Sequence, residues 1–223
     1  MKTAYLLYDR FTALDISGPH DVLSSVPGAE SVFVAESAGP VRSDRGTLTI
    51  LAERSLEEVG APDVVVVPGG YGTRRLLEHE PLLSWLRTMH ETTRWTTSVC
   101  TGSLLLAAAG LLDDAPATTH WLTRDTLASL GARPVPDRVV EHGKIITAAG
   151  VSSGIDMALR LVQLMHGDEV AQAVQLGIEY DPEPPFDAGS PDKAAAPIVE
   201  AVSAVFSAQE AEALKVSGGS DGR

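Results

Sequence analysis

The sequence has one cysteine, few basic residues and no long apolar run. A single cysteine, Cys100, excludes a disulfide within the chain. Lys and Arg number 17 against 30 Asp and Glu, which gives a formal net charge of −13. Nucleic-acid binding needs clustered positive charge, so no nucleic-acid partner is expected. The apolar runs fall short of the about 20 residues that cross a bilayer, and the first residues lack the apolar core of a signal peptide. We therefore expect a cytoplasmic protein without a membrane partner.

Short β-branched runs alternate with amphipathic segments along residues 1–180. "DVVVVPGG" is typical of a buried strand, and "EPLLSWLRTMHET" carries its apolar residues on one helical face. The first strand is predicted in "TAYLLY", followed by a helix that Pro19 begins in "PHDVLSSV". This alternation predicts an α/β domain whose mostly parallel sheet is covered on both faces.

The composition changes after Tyr180. Residues 181–215 begin with a proline-rich segment, "DPEPPFDAGSPDKAAAP", and continue into a predicted helix. We expect this arm and helix to pack on the same domain or on a dimer partner. Residues 216–223 are expected to form a disordered tail.

Cys100 lies where a predicted strand turns into a predicted helix, in "TTSVCTGSLLLAAAGLL". One interpretation is a nucleophile elbow, with Gly102 as the small residue just beyond the thiol. The free N–H groups at the start of the helix would then lower the pKa of the thiol toward the reactive thiolate. The alternative is a small buried core residue, which is common for free cysteines.

Other polar or small residues follow neighbouring strands, and open α/β sheets gather their ligands at this edge. Asp15 follows the first strand, either as a buried acid or as a solvated loop carboxylate. Gly69 and Gly70 follow the valine strand and permit close backbone approach to a ligand. His120 and Trp121 come after the elbow helix, either as a proton carrier and pocket wall or as structural residues. The remaining histidines show no paired metal-ligand spacing, so no metal is predicted.

Five segments together resemble the successive blocks of the ThiJ/PfpI superfamily, and most closely its isocyanide hydratase branch. They are "LDISGPHDVL", "VVVVPGGYG", "SVCTGSLLLAAAGLL", "ATTHW" and "ITAAGVSSGIDMALRLV". The resemblance implies a flavodoxin-like three-layer sandwich, a homodimer, and a cysteine on a nucleophile elbow without a cofactor. Many members carry a histidine directly after the cysteine, whereas this chain has Thr101. That departure disfavours a hydrolytic Cys-His triad and fits the hydratase branch.

The resemblance also implies roles for individual residues. Cys100 would be the nucleophile, Asp15 the acid/base residue and Thr101 the residue that orients the site. Gly69, Gly70, His120 and Trp121 would position the substrate or stabilise developing charge, the backbone N–H groups of Gly70 and Thr101 in particular.

The implied reaction is the hydration of an isocyanide to an N-substituted formamide through a covalent thioimidate on the cysteine. An isocyanide needs one sulfur nucleophile and one proton donor, which Cys100 and Asp15 supply. Two alternatives remain open: a glyoxalase or deglycase acting on small dicarbonyls, and a non-catalytic ligand- or redox-sensing domain.

Overall fold

The computed structural model describes residues 1–215 of the chain. It divides into one compact unit from Met1 to Glu179 and a second that begins at Tyr180. The first unit contains every strand and seven of the helices given below. The second is an irregular segment followed by one helix.

The strands are short, as expected for a compact α/β sheet. They are β1 (Lys2–Leu6), β2 (Glu30–Ala35), β3 (Gly39–Arg42), β4 (Thr49–Ala52), β5 (Arg54–Ser55), β6 (Val64–Val67), β7 (Trp95–Val99), β8 (Pro116–Ala117), β9 (Arg133–Pro134), β10 (Val139–His142) and β11 (Ile145–Ala148). The helices are α1 (Ala13–Ser24), α2 (Thr73–Leu76), α3 (Glu80–Thr92), α4 (Gly102–Ala108), α5 (Arg124–Ser129), α6 (Ser153–His166), α7 (Asp168–Gly177) and α8 (Ala196–Lys215).

The main sheet has seven strands in the order β10-β11-β7-β6-β1-β2-β5. All neighbours in it run parallel except β10, which pairs antiparallel with β11. The four valines of β6 are completely buried, because helices cover both faces of the sheet. The predicted fold class, a flavodoxin-like α/β sandwich with a mostly parallel sheet, is confirmed. This topology brings the carboxyl ends of β1, β6 and β7 to one edge.

Helix α1 begins earlier than predicted. It starts at Ala13, so that Pro19 lies inside the helix and Asp15 in its first turn, not in a loop ahead of it. The helix tolerates the proline because α1 packs closely on α6. A Cβ on Gly18 would lie 2.9 Å from the side chain of Ile155, and one on Gly154 would lie 3.1 Å from the Pro19 ring. This long-range contact outweighs the local preference of proline for a first turn.

The second unit consists of an irregular segment and one helix. No helix or strand occupies residues 181–195, and α8 follows. How this unit packs stays a prediction, and the predicted tail, residues 216–223, lies outside the described residues. Among the helices described, none combines the length and apolarity that a bilayer crossing needs.

Candidate active site

Cys100 lies in a sharp turn between β7 and α4. Its φ of 57° is in the left-handed region, which non-glycine residues seldom adopt. Gly102 is required for this turn, because a Cβ there would lie only 2.2 Å from the carbonyl oxygen of Val67. A strained residue between a strand and a helix is the geometry of a nucleophile elbow.

The backbone of Cys100 is held on both sides. Its N–H donates to the carbonyl oxygens of Ala148 and Ala149 at 3.1 and 3.0 Å. Its carbonyl oxygen accepts hydrogen bonds from the hydroxyls of Ser103 at 3.2 Å and Thr119 at 3.1 Å. These four contacts fix the unusual conformation and hence the direction of the thiol.

Asp15 lies in the first turn of α1 and is completely buried. Its Oδ2 accepts a hydrogen bond of 2.8 Å from the N–H of Gly69, whereas Oδ1 has no hydrogen-bond partner among the described residues. Burial raises the pKa of this carboxyl well above its usual value, although the Gly69 N–H acts in the opposite direction and Asp44 adds to the rise. Burial therefore favours the protonated form of Asp15, which can then act as a proton donor.

The Cys100 thiol is also buried, with 5% of the residue exposed. Burial raises its pKa, and the negative charge of Asp15 raises it further. The backbone N–H groups of Thr101 and Val151 and the Thr101 hydroxyl lower it, but they do not outweigh desolvation. The backbone at the helix start thus lowers the thiol pKa, but the predicted net lowering is wrong, because burial outweighs this effect. Burial therefore favours the protonated form of the thiol as well as that of Asp15.

Thr101 is the next residue of the elbow and is buried. Its Oγ1 accepts a hydrogen bond of 2.9 Å from the N–H of Gly70 and lies 2.9 Å from the Oγ1 of Thr73. Thr73 in turn lies 3.0 Å from the hydroxyl of Tyr8. The Thr101 hydroxyl is thus held by the loop after β6, through Gly70, and by the start of α2, through Thr73.

Gly69 and Gly70 bring the β6 loop against the elbow. A Cβ on Gly69 would lie 2.5 Å from the backbone nitrogen of Thr101 and 2.9 Å from the Cβ of Cys100. The N–H groups of the two glycines donate to Asp15 and Thr101, respectively. In this structure they position the acid and the threonine, and their role toward a substrate stays a prediction.

His120 and Trp121 lie next to each other, with ring centroids 5.8 Å apart. The Nδ1 of His120 accepts a hydrogen bond of 3.4 Å from the N–H of Leu122. A Cβ on Gly150 would lie 2.8 Å from the His120 ring, which places this ring beside the segment whose Val151 N–H meets the thiol. The role of these two rings toward a substrate also stays a prediction.

Sequence reasoning missed four hydroxyl residues that support the elbow: Tyr8, Thr73, Ser103 and Thr119. Thr119 stands inside the block "ATTHW", which was singled out for other residues, and Thr73 comes directly after the block "VVVVPGGYG". Tyr8 gave no signal, because its partner Thr73 is 65 residues away. Within residues 1–215, no group of three His, Cys, Asp or Glu side chains is placed to hold a metal ion.

Residues 1–164 match the model of the DJ-1/PfpI family. The chain belongs to the DJ-1/PfpI family. This match confirms the resemblance to ThiJ/PfpI proteins that the five sequence blocks indicated.

Individual members of the family differ in their similarity to the chain. It is 45% identical over 200 residues to an isonitrile hydratase from Pseudomonas putida, covering 90% of this chain and 87% of that protein. A crystal structure of a ThiJ/PfpI family protein from Pseudomonas syringae matches with a TM-score of 0.90 at 38% identity, covering 95% of this chain and 88% of that one. A glutathione-independent glyoxalase from Caenorhabditis elegans is 26% identical over 144 residues, covering 64% of this chain and 76% of that protein.

Proposed function

We propose that this DJ-1/PfpI protein is an isonitrile hydratase, which adds water to an isocyanide and releases an N-substituted formamide. The observation that carries the proposal is the 45% identity to the Pseudomonas putida isonitrile hydratase over 90% of the chain. The geometry supports it, because Gly69 contacts both groups: its N–H donates to the buried carboxyl group of Asp15, and an added Cβ would lie 2.9 Å from the Cβ of Cys100.

The protonation states favour an acid-first order of steps. Asp15 gives its proton to the terminal carbon of R–N≡C, and the sulfur of Cys100 forms a bond to the same carbon while the thiol proton passes to Asp15. The product is the thioimidate R–N=CH–S–Cys100. The unpartnered Oδ1 of Asp15 is the atom free to carry these protons. This order does not require a resting thiolate, which the raised pKa of Cys100 disfavours.

Water completes the reaction on the same carbon. Asp15 first gives its proton to the thioimidate nitrogen and, as the carboxylate, accepts a proton from the water that adds to the carbon. The carbon–sulfur bond then breaks as the proton of the new hydroxyl group passes to the sulfur. The formamide R–NH–CHO leaves, and the sulfur recovers its proton. Overall one water is consumed and no electrons are exchanged, so the chain's own residues balance the reaction without a cofactor.

The other predicted site residues take supporting roles in this proposal. Thr101 orients the sulfur through its hydroxyl and N–H group. Gly69 and Gly70 hold Asp15 and Thr101, respectively, at the distances given above. His120 and Trp121 form the wall that contacts the substituent of the isocyanide. The proposal includes a cytoplasmic homodimer, the assembly implied by the resemblance to ThiJ/PfpI proteins.

The test follows the loss of p-nitrophenyl isocyanide with wild type, Cys100→Ala and Asp15→Asn, and identifies the product by mass. Formamide from wild type alone is the expected result. Formamide from Cys100→Ala would contradict the covalent scheme. Consumption of methylglyoxal but not of isocyanide by wild type would assign the site to the glyoxalase alternative, and activity toward neither would favour a sensing domain.

A further inference from the structure

Three hydroxyl groups form a continuous chain behind the elbow. The Tyr8 hydroxyl donates to the carbonyl oxygen of Pro68 at 2.7 Å. The same hydroxyl lies 3.0 Å from Thr73 Oγ1, which lies 2.9 Å from Thr101 Oγ1. All three hydroxyl residues are buried, so these contacts replace contacts with water.

The hydrogen bond from Tyr8 to Pro68 sets the direction of the other hydrogen bonds among these three hydroxyl groups. A carbonyl oxygen only accepts, so the single hydroxyl hydrogen of Tyr8 points to Pro68. Thr73 must then donate to Tyr8, and Thr101 must donate to Thr73. The Gly70 N–H completes this order, because it donates to Thr101 Oγ1 from the other side.

The Cys100 sulfur competes with Thr73 for the hydroxyl hydrogen of Thr101. The Thr101 hydroxyl is also within hydrogen-bonding reach of the sulfur, and a bond there stabilises the thiolate. Thr101 has one hydroxyl hydrogen, which cannot serve Thr73 and the sulfur at once. Its other acceptor, the carbonyl oxygen of Gly70, is more distant at 3.4 Å.

We propose that Tyr8 and Thr73 are positioning residues that hold the Thr101 hydroxyl hydrogen away from the Cys100 sulfur in the resting site. When the thiol loses its proton, the Thr101 hydroxyl turns to the sulfur, and Thr73 donates to Thr101 in place of Tyr8. Each time the Cys100 thiol loses its proton, the hydrogen bond from Thr73 to Tyr8 is therefore broken. The inference rests on Cys100 as the nucleophile of the proposed function.

The ionisable groups near these three hydroxyl groups are consistent with the proposed directions of the hydrogen bonds. Burial raises the pKa of Tyr8 well above its usual value, so its hydroxyl keeps its hydrogen and remains the donor to Pro68. The charged groups that act on Tyr8 are Asp15, Asp44 and Cys100 itself, and all three disfavour its ionisation. Asp15 is the charged side chain that acts on the Cys100 thiol.

The experiment measures the rate at which iodoacetamide alkylates Cys100 as a function of pH. Thr73→Val removes the acceptor that competes for the Thr101 hydrogen, and Tyr8→Phe frees Thr73 to donate to Thr101. In both variants the midpoint of the profile should move to lower pH by about one unit, which is about tenfold faster alkylation at a fixed pH below the midpoint. Thr101→Val should move the midpoint to higher pH. Thr73→Ser keeps the hydroxyl and should leave the profile unchanged.

A double variant separates this role from a merely structural one. In a Thr101→Val background, Tyr8→Phe should have no further effect on the midpoint, because the contested hydrogen is gone. An unchanged or raised midpoint in Tyr8→Phe and Thr73→Val would overturn the proposal, as would the same shift with and without Thr101. If Tyr8→Phe does not fold, Thr73→Val against Thr73→Ser decides alone. Alkylation needs no isocyanide, so failure of the proposed reaction leaves this readout intact.

Discussion

The N–H of Gly69 donates a hydrogen bond of 2.8 Å to the Oδ2 atom of Asp15. The other side of the same glycine faces Cys100, whose Cβ would lie 2.9 Å from an added Cβ. A single residue of the β6 loop therefore sets both the position of the acid and the space beside the nucleophile. Its lack of a side chain is what allows the two groups to share one site.

Gly69→Ala is the most direct test of that arrangement. The new methyl group would meet the backbone nitrogen of Thr101 at 2.5 Å, so the loop must move and carry the Asp15 hydrogen bond with it. We expect kcat for isocyanide hydration to fall about a hundredfold, as small displacements of reacting groups commonly cause. Gly177→Ala is the matched control, because nothing lies within 4 Å of its added Cβ. Equal activity in both variants would exclude the positioning role of Gly69.

Asp15→Asn should change the pH dependence of stability. The folded protein holds the carboxyl proton at pH values where the unfolded chain has released it, because burial raises the pKa of Asp15. Wild type therefore loses unfolding free energy as the pH rises above about 3.9, by at most about 1.4 kcal/mol per unit, until the raised pKa is passed. Asp15→Asn has no carboxyl proton to release, so its unfolding free energy does not fall with pH for this reason.

Urea unfolding at a series of pH values measures the effect. The unfolding free energy of Asp15→Asn relative to wild type should increase with pH over that window. Asp137→Asn, at an exposed loop position, provides the comparison. A relative stability that falls with rising pH would mean that Asp15 is ionised in the folded protein.

The regular elements could be predicted from the sequence because their signals are local. The four consecutive valines of β6 and the apolar stripe of Glu80–Thr92 define a buried strand and an amphipathic helix without reference to the rest of the chain. The start of α1 could not be predicted in this way. It depends on the contact of Gly18 and Pro19 with α6, more than a hundred residues further on.

In the candidate site, too, local features could be predicted from the sequence and long-range contacts could not. The positions of Cys100 and Asp15 after neighbouring strands indicated that they would meet at one edge. The sign of the thiol pKa shift could not be read from the strand-to-helix turn, because it depends on how completely the fold buries the sulfur and on the charge of Asp15. The hydroxyl chain through Tyr8 and Thr73 depends on contacts between residues 65 apart.

Thr119→Val tests the support of the strained elbow. Valine has nearly the same shape, so the variant removes the hydrogen bond of 3.1 Å to the Cys100 carbonyl oxygen together with the 3.0 Å contact to the Thr123 hydroxyl. We expect the unfolding free energy to fall by about 1–2 kcal/mol, since a buried acceptor loses a partner. We also expect slower hydration, because the thiol direction depends on this turn. Thr49→Val, exposed on β4, should affect neither quantity, and unchanged kcat in Thr119→Val would show that Ser103 alone holds the carbonyl group.

Alkylation of the thiol and turnover of isocyanide should respond to Asp15→Asn in opposite directions. The carboxylate raises the pKa of Cys100, so its replacement by a neutral amide lowers that pKa and speeds the reaction with iodoacetamide in the alkaline range. The same change removes the proton donor and should abolish formamide production. Because the chain has one cysteine, the alkylation signal comes from Cys100 alone, and Cys100→Ser sets its background. If both rates fell together, Asp15 would act by activating the thiol; faster alkylation with lost turnover assigns it to proton transfer with the substrate.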